Sequence, residues 1–230
     1  MIRTLSRRTK LKRREFVKFA GVAAIAASAG AGTGYILSPS KDAKTKATWL
    51  ADKTEQNLKN AFSCESQANM IYVLSGTIAN EKGLDNVARL FEAIAYAEQV
   101  HSSHYFENLN YLKEVSITYG LAGFGPGDSS KNLDIAIEGE TFLLTEVFPA
   151  YIEKANQENL DKAERYFYWS VETGKSHVDL FKEAKRAVDI GNDLEIDKIY
   201  ICSRCGYAGE GEAPNACPIC GALKEEFKIF

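Results

Sequence analysis

Cys202-Ser203-Arg204-Cys205 and Cys217-Pro218-Ile219-Cys220 place two Cys-x-x-Cys pairs eleven residues apart near the end of the chain. Four thiolates at that spacing can close a tetrahedral all-sulfur site for iron or zinc, and spacing alone does not choose the metal. Such clustering is metal-site arithmetic rather than a distributed disulfide framework. The fifth cysteine, Cys64, stands far upstream and reads either as a buried core thiol or as a modifier of whatever Glu65 beside it does.

A second chemistry is written in carboxylates and imidazoles. Two metals inside a helical bundle need anionic oxygen ligands to offset their charge and an imidazole for each. The ferritin-like solution draws one Glu from each of two helices and Glu-x-x-His from the other two. A spacing of three puts both side chains on one helix face. Here Glu98-Gln99-Val100-His101 is one complete Glu-x-x-His, while Glu65 and Glu140 supply a Glu each to two other segments. His177 has Gly174, not Glu, three residues before it. The chain has three histidines, and two of them fall at the expected phase; His104 lies one turn past His101 and reads as an outer or surface residue. Any one of these glutamates alone would be read as a solvated helix face.

Elements must exist to position these groups. Apolar residues recur at spacings of three and four from Thr48 to Ala187, as in Leu58, Ala61, Phe62 and Val87, Leu90, Phe91, Ile94. Breaks at Gly83, across Gly120–Ser130 and around Asn156–Asn159 divide this stretch into four helices, over roughly 47–80, 84–113, 130–156 and 159–190. Pro149 predicts a local kink in the third. Short first and last links force antiparallel neighbours, whereas the long Gly-rich link Glu114–Ser130 predicts a crossover between helices two and three. The expected fold is mainly α: a ferritin-like four-helix bundle over 47–191, then a small four-cysteine β domain over 196–230.

The residues now carry a family resemblance. Asn57-Leu58, Ala61-Phe62, Glu65-Ser66-Gln67-Ala68 and Tyr72, then Ala97-Glu98 and His101, Ile137-Glu138-Gly139-Glu140, Phe148-Pro149 and His177-Val178-Asp179-Leu180-Phe181 resemble rubrerythrins. Tyr200, Gly206-Tyr207, Pro214, Cys217-Pro218, Gly221-Ala222 and Phe227 resemble the rubredoxin-like domain that ends them. The resemblance implies that Glu65, Glu98, His101, Glu140 and His177 bind two irons, with Glu98 bridging, and that Tyr72 lines the site. It implies one iron on Cys202, Cys205, Cys217 and Cys220. It implies a peroxide reductase that takes electrons from a reductase or carrier through the tail and reduces hydrogen peroxide to water. It further implies a homodimer in which one subunit's tail lies near the other's bundle.

Two departures cut against this. Leu143 and Gly174 stand where the family carries ligand glutamates, and Phe148 replaces a family tyrosine. Glu172, about 200° from Gly174 around an ideal helix, would reach inward only through a π-bulge or local unwinding near Gly174. The alternative function is therefore an electron carrier or a redox or metal sensor with a degenerate bundle site.

Residues 1–31 hold eight Lys/Arg against Glu15 alone, although the whole chain is −3, so the body is acidic and repels nucleic acid. Arg13-Arg14-Glu15-Phe16-Val17-Lys18, running into an Ala-rich apolar stretch, resembles a twin-arginine export signal. Phe19 to Leu37 carries no charge and is nearly long enough to span a bilayer. The expectation is an exported, extracytoplasmic protein, with residues 1–37 a signal peptide or an uncleaved anchor, 38–46 a linker, and the membrane touched only there.

Overall fold

The computed structural model describes residues 53–109 and 127–230. The expected signal, the linker and most of the crossover lie outside them. No described helix is long and apolar enough to cross a membrane.

The bundle comprises α1 (Thr54–Glu81), α2 (Asp85–Asn108), α3 (Ser129–Phe142), a π turn (Leu143–Val147), α4 (Phe148–Gln157) and α5 (Asp161–Asp189). The third predicted helix is thus α3, the π turn and α4 in series. Pro149 has no N–H to continue an i→i−4 ladder. The chain widens just before it, so that the Phe148 N–H bonds to the Leu143 carbonyl. The expected kink at Pro149 is therefore an extra residue in the preceding turn. The π turn also re-indexes every side chain near it. α5, by contrast, runs unbroken through Gly174, so the π-bulge that could have turned Glu172 inward does not occur. Glu172 bonds Lys175 on the outside.

α1 packs on α2, α5 on α2 and on the α3–α4 arm. Each long helix changes company at mid-length. One apolar cluster contains Tyr72, Leu90, Phe91, Ile94, Leu133 and Phe181. The other contains Leu58, Tyr105, Leu143, Phe148, Tyr151 and Phe167. Between them, on four helices, lie the buried polar residues Glu65, Glu98, His101, Glu140, Thr173 and His177. Two greasy plugs thus hold a polar layer out of water, which is costly unless its groups are paired or bind metal.

The tail is a three-stranded antiparallel sheet of β1 (Ile199–Cys202), β2 (Ala208–Glu210) and β3 (Phe227–Ile229), ordered β2-β1-β3. It is not a separate appendage. Leu194, Ile199, Ile201 and Ala208 are buried in the first bundle cluster. The connector is stapled to the start of α2: the Asp193 carboxylate accepts from the backbone N–H groups of Asn86 and Val87, and Arg89 donates to the Ile196 carbonyl.

Candidate metal centres

The tail site is the simpler. Each Cys-x-x-Cys closes as a tight turn, with Gly206 N–H bonding the Cys202 carbonyl and Gly221 N–H bonding that of Cys217. The four sulfurs are free, with Cys202 and Cys220 3.6 Å apart and Cys205 and Cys217 3.5 Å apart. A tetrahedron with metal–sulfur bonds of about 2.3 Å has edges of about 3.8 Å, so the sulfurs stand close to a metal-ready spacing. A hydrogen bond from the Cys205 thiol lowers Cys202 to about 5, leaving one thiolate already poised for a cation.

The bundle site is assembled from four helices. On α2, Glu98 and His101 point inward together, and one oxygen of Glu98 serves each imidazole: Oε2 lies 2.8 Å from His101 Nδ1 and Oε1 3.1 Å from His177 Nδ1. Glu65 Oε1 lies 3.6 Å from His101 Nδ1. The donor atoms of Glu65, Glu98 and His101 fall within 4.8 Å of one another, as do those of Glu98, Glu140 and His177, so two three-residue sets share Glu98. Tyr72, two turns along α1 from Glu65, donates to Glu140 Oε1 at 2.6 Å. All six residues expected at this site are brought together.

Electrostatics shows what the cluster lacks. Burial, then repulsion from Glu98, pushes Glu140 up to about 8, and the same two causes hold Glu65 well above the usual carboxylate range. Burial resists charge on Glu98 as well, but His101 and His177 hold it low. Burial opposes charge on His177, yet Glu98 and Glu140 raise it to about 9. Positive charge at the centre of the cluster would let Glu65 and Glu140 ionise despite their burial. The imidazoles are also oriented for it. His101 Nε2 shares its proton between Thr173 Oγ1 and the Cys205 carbonyl, both at 3.0 Å, and His177 Nε2 donates to the Gly206 carbonyl at 2.9 Å. A carbonyl can only accept, so each Nε2 carries a hydrogen and each Nδ1 can turn a lone pair inward. The donor set fits two cations.

The departures have a structural explanation. Leu143, expected at a ligand position, is buried in the second apolar cluster. Because of the π turn its neighbour Leu144 meets α5, and a Cβ on Gly174 would stand 2.6 Å from Leu144 Cδ2 and 3.4 Å from Glu140 Oε2. A side chain at 174 would thus meet the Leu144 side chain, whereas Leu143 itself turns into the apolar cluster.

Sequence reasoning missed several residues. Thr173 is fully buried against His101, and its hydroxyl donates to the Trp169 carbonyl. His104 is more than a surface residue: its Nε2 bonds the Arg204 carbonyl at 2.6 Å, and its ring stacks on Tyr166 at 4.3 Å. Trp169 packs against the cysteine cluster. The available signal was the histidine at 104 itself, three residues beyond His101 on the same face. Cys64 is a core thiol, which burial and then Glu65 push up to about 12, far from a reactive thiolate.

A four-helix bundle with a buried carboxylate–imidazole layer, joined to a four-thiolate knuckle domain, defines a ferritin-like non-haem metalloprotein with a rubredoxin-like tail. The rubrerythrin family model matches residues 56–185, and that of the rubrerythrin rubredoxin-like domain matches residues 200–228. The chain belongs to the rubrerythrin family and is a non-haem iron protein of that type. It is 36% identical to rubrerythrin-2 of Clostridium acetobutylicum over 77% of this chain and 96% of that one. It is 30% identical to nigerythrin of Nitratidesulfovibrio vulgaris over 77% of this chain and 86% of that one. The structure of nigerythrin in its fully reduced, all-ferrous state superposes with a TM-score of 0.68 at 27% identity, covering 91% of this chain and 99% of the other.

Proposed function

We propose that the chain is a peroxide reductase: hydrogen peroxide plus two electrons and two protons gives two molecules of water at the bundle site. The observation that carries this reading is the contact between the centres. The same two imidazoles that face the carboxylates bind, through their other nitrogens, the carbonyls of Cys205 and Gly206 in the first thiolate knuckle. Iron, when bound at both centres, supplies one-electron redox couples. Cys202, Cys205, Cys217 and Cys220 would hold one ion in the tail. Glu65, Glu98, His101, Glu140 and His177 would hold a pair, Glu98 belonging to both ligand sets. Tyr72 keeps a phenolic proton beside Glu140, within the buried layer, where a reacting oxygen needs one. The two apolar clusters exclude bulk water from the layer.

Electrons come from a reductase or a small carrier. The basic leader and apolar stretch support export of the chain, with that supply located outside the cytoplasm. A homodimer is part of the same reading. The rival, an electron carrier or redox or metal sensor, is favoured by one observation: with Leu at 143 and Gly at 174, the two ligand sets share three carboxylates, Glu65, Glu98 and Glu140, between two cations. Metal analysis with a peroxide stopped-flow trace separates them. Three irons per chain and peroxide-driven oxidation of both centres are expected; one iron confined to the tail, with no fast peroxide step, overturns the enzyme reading.

A further inference from the structure

Three buried polar contacts join α2 to α5 in order. Glu98 Oε1 lies 3.1 Å from His177 Nδ1, His101 Nε2 lies 3.0 Å from Thr173 Oγ1, and Tyr105 Oη lies 2.7 Å from Ser170 Oγ. Residue numbers rise along one helix and fall along the other, so all three follow one antiparallel register. Glu98, His101 and His177 belong to the ligand sets. Thr173 does not, yet it is completely buried. Its hydroxyl hydrogen goes to the Trp169 carbonyl at 2.8 Å, one turn back along α5. That leaves the oxygen lone pairs for the His101 Nε2–H, and an imidazole with hydrogen on Nε2 presents a bare Nδ1. His101 Nδ1 is the atom on the carboxylate side, 2.8 Å from Glu98 and 3.6 Å from Glu65. The second imidazole is held differently. His177 Nε2 meets the Gly206 carbonyl of the tail and, among the described residues, no group of the bundle. Of the two rings, His101 is the one whose outer nitrogen has an acceptor on the bundle itself.

We propose that Thr173 is a positioning residue: its hydroxyl fixes the orientation and tautomer of His101, so that one half of the bundle site is prepared from within the bundle. Thr173 acts on metal binding, so this role rests on the metal-site reading above and not on peroxide reduction. It is the same whichever subunit's tail supplies the carbonyls, because His101, Trp169 and Thr173 lie on two helices of one bundle.

The test uses full-length protein with isotope-labelled histidine, loaded with zinc, which has no redox chemistry of its own. The chain has three histidines, so each ring can be followed by nuclear magnetic resonance. In the wild type, His101 should bind zinc through Nδ1 and keep a slowly exchanging hydrogen on Nε2. Zinc on His101 Nε2, or no zinc in the bundle, overturns the role before any variant is made. Thr173→Val keeps the shape of the side chain and removes the acceptor. It should speed exchange of the His101 Nε2 hydrogen and lower zinc affinity at the His101 half-site about tenfold, read by competition with a chelator. The loss stays that small because the Cys205 carbonyl remains as a second acceptor. The His177 signals and the zinc content of the tail should not change. Thr173→Ser returns the hydroxyl and should return both readouts to wild type. Unchanged affinity in Thr173→Val, equal losses at His101 and His177, or a serine variant no better than valine overturns the role. Where valine prevents folding, the serine variant decides: fast exchange of its His101 Nε2 hydrogen overturns the role, and slow exchange supports it. A protein that passes these tests and ignores peroxide keeps this role for Thr173 and loses the peroxide reading.

Discussion

The tail centre and the bundle centre use opposite ways of building a metal site. In the tail, four ligands come from two short turns, and each turn sets its own geometry through backbone hydrogen bonds to its cysteines. In the bundle, the five candidate ligands come from four helices, with apolar packing on either side of their layer. The first kind of site is fixed by local sequence. The second depends on helix register, and a single inserted residue in one turn changes what faces it. The π turn at Leu143–Val147 does this, bringing Leu144 against Gly174. A long-range site can therefore lose ligands while its fold survives, whereas a knuckle loses its metal with one cysteine.

That contrast can be broken at its stronger end first. Cys205→Ser should abolish the visible thiolate–iron absorption entirely, as read by absorption spectroscopy and metal analysis; unchanged colour would place its source elsewhere. Next in size, Glu98→Ala removes the one carboxylate common to both ligand sets and leaves His101 and His177 without their partner. Bundle metal affinity should fall at least about 100-fold, measured by competition with a chelator, while the tail absorption stays. A smaller change should run the other way. Gly174→Glu alone meets Leu144, so it should gain little. Leu144→Ala with Gly174→Glu gives the carboxylate room and should tighten bundle metal binding about tenfold; equal affinity in the two variants would dismiss the leucine as the obstacle.

The smallest effect is a pH dependence. In the metal-free bundle Glu140 is raised to about 8 and His177 to about 9. A carboxyl whose folded pKa is raised favours the folded state at low pH, and the advantage is lost as pH rises from the unfolded value near 4.5 through about 8. A raised histidine likewise contributes below its unfolded value of 6.5 and loses that contribution as pH passes about 9. Both act in one direction, so Tm of the metal-free protein should fall by about 5 °C or more between roughly pH 6 and 9. The iron-loaded protein should stay flatter, because the cations have replaced those protons. Parallel curves in calorimetry would show that the polar layer does not sense metal.

Much of this was readable from residue order. The cysteine spacing marks the tail, and the Glu98/His101 pair with His177 at the same phase marks the polar layer. The long Gly-rich link after α2 foretold the bundle type. Three things were not readable. The π turn arises from a proline's missing N–H several residues ahead of the position it displaces. Leu194, Ile199 and Ile201 look like ordinary strand residues, and nothing local says that they complete a core begun more than a hundred residues earlier. The partners of the imidazole Nε2 atoms are main-chain carbonyls, which every residue possesses and no motif marks.

The staple at Asp193 has a thermodynamic consequence. A connector that caps the start of α2 and buries its neighbour Leu194 leaves no hinge at which the sheet could separate from the helices. Ordering the thiolate turns and ordering the helical core then become parts of one cooperative transition. An ion captured by the cysteines stabilises, by mass action, side chains it never touches, and stripping it loosens the whole molecule rather than one end.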